Sequence, residues 1–256
     1  MDAAPQRPPA ALFEGLLLAE GAVAARSPLA ELAGPRLVPA PGLADVREQL
    51  DLHAVGARIV LVASPAPGDP AGLTGLREAR NLLLDDDRFE LTGVHVPLPA
   101  GAAMADLLAG LDFTAPAWVE VAPVAGWEAA LAELVEDGAE RLAVRLPADA
   151  AVLCRAVDLG LPLRVTGSGP AAASTVQVLA ALCAVHAAAT GAQVSQVAAL
   201  LSERDAAPLA EELRRWTGPE AARVRAALDG VVVDDVEATW LDLAALGLLE
   251  HGHAED

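Results

Sequence analysis

The amino-acid sequence predicts an α/β protein that forms a (β/α)8 TIM-type barrel. Short β-like runs alternate with apolar-periodic helical segments along most of the chain. Seven clear runs and an eighth candidate, within 256 residues, match the number of units and the size of such a barrel. The alternative is an open doubly wound parallel sheet, which the same alternation also fits. No G-x-G-x-x-G segment follows an early strand, and this counts against a dinucleotide-binding version of that sheet.

Each predicted strand is a short apolar run that leads into a helical segment. "AALF" at residues 10–13 is the candidate for the first strand. The other seven cover residues 36–40, 58–64, 89–98, 117–123, 140–147, 161–168 and 230–235. Residues 192–228 break this alternation with three successive helical segments, which predicts a helical insertion before the last strand.

We predict one domain over residues 1–256, with a loose leader at 1–9 and a flexible tail at 250–256. The first ten residues, "MDAAPQRPPA", lack the basic start and apolar stretch of a secretory signal. No apolar run reaches the roughly 20 residues that a membrane helix needs. A cytoplasmic protein that does not bind membranes is therefore expected. Trp216 and the apolar residues of "TWLDLAALGLLE" (239–250) are candidates for an exposed surface that binds a protein partner or a second copy.

The composition excludes several classes of function. The formal net charge of −19, from 36 acidic and 17 basic residues, disfavours nucleic acid and anionic membranes as partners. The chain has no lysine, so lysine-linked PLP, class I aldolase chemistry and a Walker P-loop are excluded, and no cofactor can be assigned. Cys154 and Cys183 lie in apolar helical patterns, which favours buried free thiols over a disulfide or a metal site.

Several core-like segments resemble an uncharacterised conserved family of high-GC bacteria. The resemblance rests on "SPLAELAGPRLVPAPGLADV", "VHVPLPAG", "AWVEVAP" and "DLAALGLLE" and covers most of the chain. Family members carry a K-x-R-x-G-G segment where this chain has "AVRLPA", so Arg145 keeps the arginine while the lysine and the glycines are replaced. Thr166 is also kept, but Pro170 and Ala171 stand where the family has paired histidines. The resemblance thus implies a barrel whose scaffold is retained and whose polar motifs are largely lost.

The candidate site residues lie at or near the carboxyl ends of the predicted strands, where parallel barrels bind their ligands. For binding an anion the candidates are Arg145, Arg164, Thr166, Gly167, Ser168 and Gly169. Arg164 and Thr166 share one strand face, and two inward-facing arginines would suit a phosphate or carboxylate. The "TGSG" turn (166–169) has two interpretations, a backbone cradle at the start of a helix or an ordinary strand-to-helix connection.

The candidates for acid–base chemistry are Glu120 and His95, on two neighbouring predicted strands. Each has a second interpretation: Glu120 can instead neutralise Arg145 on the adjoining strand, and His95 can be a hydrogen-bonded residue of the barrel without a role in chemistry. No metal-ligand spacing is present, and Asp234 and Asp235 are only weak metal candidates. Two functions remain open: a barrel that binds a small anionic molecule, as a lyase- or isomerase-type enzyme, and a catalytically degenerate barrel that serves as a partner-binding or structural subunit.

Overall fold

A computed structural model of the chain describes residues 7–19, 33–49, 56–111, 115–136, 141–145, 149–167 and 173–249. Eight parallel strands form one sheet in the order β1-β8-β7-β6-β5-β4-β3-β2. The strands are Leu17–Ala19 (β1), Arg36–Pro39 (β2), Ala57–Val62 (β3), Phe89–Pro97 (β4), Ala117–Glu120 (β5), Leu142–Arg145 (β6), Leu163–Thr166 (β7) and Leu228–Val233 (β8). At the junction of β1 and β2, the Gly34 N–H donates to the Leu17 carbonyl at 2.9 Å. The sheet is therefore a nearly closed barrel, and the predicted TIM-type fold is confirmed.

Ten α-helices alternate with or follow the strands in the described part of the chain. They are Leu43–Gln49 (α1), Leu73–Leu84 (α2), Met104–Gly110 (α3), Trp127–Glu136 (α4), Ala150–Asp158 (α5), Thr175–Ala189 (α6), Val194–Leu201 (α7), Ala206–Arg214 (α8), Gly218–Ala227 (α9) and Val236–Ala245 (α10). The insertion before the last strand consists of α7, α8 and α9, as the sequence predicts. All three pack against α6.

The predicted first strand is wrong. Ala10–Leu12 forms a short 3-10 helix, and the strand that pairs with β8 begins five residues later, at Leu17. Pro8 and Pro9 cannot donate ladder hydrogen bonds, and Gly15 turns the chain with a φ of 63°. Leu12 and Phe13 are fully buried, so the apolar pattern of this segment reflects its burial in the core and not a strand.

The core has two parts, one outside the strands and one inside the barrel. The larger part lies between the strands and the surrounding helices. The inner part joins side chains from six strands: Leu18, Leu37, Val60, Trp118, Ala143 and Val232. Side chains alternate along a strand, so neighbours such as Val119 and Val144 point to the helices instead. This alternation decides which polar residues face the lumen, the space that the strands enclose.

The indole of Trp118 occupies much of the lumen because Gly93 leaves room for it on the adjacent strand. A Cβ at position 93 would clash with the six-membered edge of the indole ring. Gly230 plays the same part for Leu18, whose side chain lies within 2.7 Å of where a Cβ would stand. Two large side chains of the lumen thus pack on two glycines.

Among the described residues, no helix combines the length and the apolar character needed to cross a membrane. The longest helix, α6, is buried on nearly every face because α5 and the insertion cover it. Trp216 is also buried, with its ring centroid 4.6 Å from that of His186. Its predicted place on an exposed interface is therefore wrong, whereas Leu241 on α10 is more than half exposed.

Candidate functional site

Three polar side chains form a chain of hydrogen bonds across neighbouring strands at the carboxyl-terminal end of the barrel. Arg145 Nε donates to Glu120 Oε1 at 2.9 Å, and its Nη2 donates to Oε2 at 2.9 Å. His95 Nε2 lies 3.2 Å from the same Oε2. These three residues come from β6, β5 and β4, and we call them the mouth triad. The predicted pairing of Glu120 with Arg145 is confirmed.

The strand register explains why these residues meet. Val94 and Val96 belong to the outer core, so His95 between them faces the lumen. Glu120 pairs in register with Ala143, two residues before Arg145 on the same face of β6. Each side chain of the mouth triad therefore lies near the end of its strand and on the inner face, where barrel enzymes carry their polar groups.

Glu120 is ionised at neutral pH. Burial acts to raise the pKa of its carboxyl, but the hydrogen bonds from His95 and Arg145 outweigh burial and lower that pKa from 4.5 to about 2. An ionised carboxylate only accepts hydrogen bonds, so His95 must donate from Nε2. In the neutral imidazole, Nδ1 then carries the lone pair. This Nδ1 is buried and has no partner among the described residues.

Thr166 lies beside the mouth triad. It pairs in register with Arg145, and its Oγ1 is buried without a hydrogen-bond partner in the described part of the chain. Gly167 follows directly and is also buried. Ser168 and Gly169, the rest of the predicted cradle, lie outside the described residues, as does Pro170. The described helix after this turn, α6, begins at Thr175 with Ser174 as its N-cap.

Arg164 lies elsewhere in the lumen, one layer below Thr166. Its Nη2 donates to Asp229 Oδ2 at 2.7 Å, and its guanidinium carbon stands 3.4 Å from the ring centroid of Trp118. The side chain is 1% exposed. Burial lowers the pKa of Arg164 to about 10, against the opposing effect of Asp229, so the guanidinium stays charged at neutral pH. The two arginines thus bind separate acids and do not form one cationic patch.

Sequence reasoning missed Trp118 and Asp229 as the partners of Arg164. Trp118 lies within the apolar strand segment "AWVEV", which carries no local signal of an arginine partner. Asp229 stands at a register shift between β7 and β8, where Leu163 pairs with Leu228 but Arg164 pairs with Gly230. A count of alternating residues cannot locate such a shift. One signal does remain in the sequence. Trp118 stands two residues before Glu120 on the same strand, so the two side chains lie on the same, inward face.

The two acidic residues after β8 have different roles. Asp235 is the N-cap of α10, and its carboxylate accepts from the Ala238 N–H at 2.9 Å. Asp234 is exposed. Within the residues that the structure describes, no group of three or more His, Cys, Asp or Glu side chains is placed to hold a metal ion.

Cys154 and Cys183 are both free, and burial raises the pKa of Cys183 to about 12, which makes its thiol unreactive.

The chain matches no family model, and no curated protein matches its sequence. The class of protein is therefore defined by the fold, a (β/α)8 TIM-type barrel with a polar triad at its carboxyl-terminal mouth. The resemblance to a conserved bacterial family stays a prediction.

Proposed function

We propose that the protein binds a small anionic molecule at the carboxyl-terminal mouth of the barrel and moves a proton to or from it. The observation that carries this proposal is the mouth triad with its buried, unpartnered His95 Nδ1. A carboxylate that orients an imidazole through one nitrogen leaves the other nitrogen to act as a base. Many lyase- and isomerase-type reactions begin with such a proton transfer.

Arg145 is the proposed contact to the anionic group. Half of its side chain is exposed, so solvent and ligand can reach the guanidinium. Glu120 fixes the plane of that guanidinium by two hydrogen bonds, which reduces the conformational entropy lost on binding. Thr166 Oγ1, opposite Arg145 in the register, supplies a hydroxyl for the same ligand.

A thermal-shift screen tests ligand binding. Inorganic phosphate, phosphorylated sugars and small carboxylates are the probes, and a ligand at about 100 times its Kd stabilises the fold by about 2.7 kcal/mol. Arg145→Ala should abolish the stabilisation. Arg223→Ala is the matched control, since Arg223 is an exposed arginine of α9. A ligand that stabilises the Arg145→Ala variant as strongly as the wild type would contradict the proposed contact.

Proton transfer is tested with the ligand that the screen identifies. Solvent deuterium should exchange into a carbon-bound position of that ligand in the wild type, and His95→Gln should stop the exchange while binding remains. Binding without exchange in the wild type would leave a ligand-binding barrel and remove the catalytic part of the proposal.

One observation favours the second candidate function, a catalytically inactive barrel that binds a protein partner or a second copy. Glu120 and Arg145 already satisfy each other by two hydrogen bonds without any ligand. If the protein has this second function, we expect that no small anion changes its melting temperature. Light scattering would then show an oligomer, and Leu241→Glu, at a large apolar position of α10 that is 59% exposed, would dissociate it.

A further inference from the structure

A cavity of about 210 Å³ lies where α2 ends and β4 begins. Four apolar side chains line it: Leu83, Leu84, Phe89 and Leu91. The helices of a (β/α)8 barrel run back along their strands, so this cavity is at the amino-terminal face, at the opposite end of the barrel from the mouth triad. An apolar cavity of about 150 Å³ holds one benzene ring. This cavity therefore has room for one ring with a short substituent.

The turn that forms one wall of the cavity is fixed by Asp86. Its carboxylate accepts hydrogen bonds from Arg88 Nε at 2.8 Å, from Arg88 Nη2 at 2.7 Å and from Arg47 Nε at 3.0 Å. The hydrogen bonds from Arg88, and then those from Arg47, hold the pKa of Asp86 well below its ordinary value. The Phe89 N–H also donates to the Asp86 carbonyl at 3.0 Å. The wall is thus in place before any ligand arrives, which reduces the entropy lost on binding.

Asp87 places an acidic group at the cavity that has no partner in the described part of the chain. Its side chain is exposed and forms no ion pair or hydrogen bond with any described residue. Of the other polar residues that line the cavity, Asp86 is occupied by two arginines and Arg80 has an interaction of its own. The net charge of −19 also concentrates cations near the protein surface. The cavity therefore combines apolar walls with a carboxylate that is available to a ligand.

We propose that this cavity binds a small monocationic amine that carries one apolar ring. The ring packs against Leu83, Phe89 and Leu91, and the ammonium group lies beside Asp87. A neutral ring would leave the carboxylate unused, and an anion would be repelled by it. The mouth triad takes no part in this site, so failure of either proposal leaves the other intact.

Benzylamine is the probe, compared with methylamine, which lacks the ring, and with benzoate, which reverses the charge. Heteronuclear NMR titration of the isotope-labelled chain, at constant ionic strength, gives the Kd and the location of binding together. In the wild type, benzylamine should shift the amide signals of Leu84 and Asp87 in a saturable way. Methylamine should bind about tenfold more weakly, because only a ring uses the apolar walls. Benzoate should leave both signals unchanged.

Two pairs of variants test the carboxylate and the apolar wall separately. Asp87→Asn should weaken benzylamine binding about threefold to fivefold, the effect of a partly exposed ion pair. Asp85→Asn is its control, because it removes the same charge from an exposed position that does not line the cavity. Leu84→Asn should weaken binding by a similar factor. Its control is Leu82→Asn, at another exposed leucine of α2 that does not line the cavity.

Three results would overturn the proposal. The first is an equal benzylamine Kd for the Asp87→Asn and Asp85→Asn variants. The second is benzoate that binds in this cavity as tightly as benzylamine does. The third is a set of benzylamine shifts confined to the residues of the mouth triad.

Discussion

Glu120 links three strands through one carboxylate, and its ionisation contributes to stability. Its folded-state pKa of about 2 lies below the ordinary value of 4.5. A depressed carboxyl pKa stabilises the fold fully above the unfolded pKa, and this stabilisation is lost as the pH falls through the folded pKa. The shift corresponds to roughly 3 kcal/mol of stability that disappears between about pH 5 and pH 2.

We expect Glu120→Gln to remove this pH-dependent contribution. The variant should be less stable than the wild type at pH 7 by roughly 2 kcal/mol, because Arg145 and His95 lose a charged acceptor. The difference should shrink toward pH 2.5, where the wild-type carboxyl approaches protonation. Urea unfolding at several pH values measures this. Asp86, another carboxyl with a lowered pKa, is common to both proteins, so a constant difference across pH would contradict the assignment.

The alternation of side chains along a strand accounts for the part of the site that the sequence could predict. Alternation along β6 and β7 places Arg145, Arg164 and Thr166 on one face, and the structure has all three in the lumen. The partners of the two arginines depend on register between strands. Register includes a shift at Leu163 and Arg164, and no local pattern in the sequence encodes it. The cationic patch expected at the mouth was therefore wrong, although the individual orientations were right.

At the level of elements, strands two to eight were predictable because each is a short apolar run bounded by helical segments. The first strand was not. Residues 10–13 and 16–18 are both apolar runs, and both contain buried side chains. Only pairing with β8 shows which one is the strand. Long-range pairing is a tertiary property, so propensity in a short window cannot choose between two such runs.

The start of α10 gives a test that separates a helix cap from a metal ligand. Asp235 caps this helix through the Ala238 N–H. Asparagine also caps well, whereas alanine does not. We expect Asp235→Asn to keep wild-type thermal stability and Asp235→Ala to lose about 1 kcal/mol. Calorimetry of both variants, with and without magnesium or calcium, measures this. A divalent-ion stabilisation in the wild type that both variants lose would instead make Asp235 a metal ligand.

The whole molecule carries a net charge of −19, and charge of one sign opposes compaction. Salt screens this repulsion, since the Debye length falls from about 30 Å at 0.01 M to about 3 Å at 1 M. We expect sodium gluconate at 0.5 M to raise the Tm relative to 0.02 M. A gain of about 1 kcal/mol corresponds to about 2–4 °C for a chain of this size.

Differential scanning calorimetry over that range of gluconate concentrations measures the effect. Sodium gluconate sets the ionic strength in every sample, so that only the screening of charge changes along the series. The exposed ion pairs of Glu211 with Arg214 and Arg215 would weaken with salt, but such pairs contribute little. A fall in Tm with salt would mean that attractive pairs outweigh the net repulsion.

The position of β8 between β7 and β1 has a consequence for biosynthesis. Residues 17–19 leave the ribosome more than 200 residues before their hydrogen-bonding partners at residues 231–233. At ordinary elongation rates of about 5–20 residues per second, the nascent chain carries the unpaired edge of β1 for roughly 10 seconds or more. The insertion α7–α9 is also made before β8, so its helices can fold against α6 while the ring is still open. Vectorial synthesis thus leaves the edge of β1 without its partner until β8 emerges, and the ring cannot close before then.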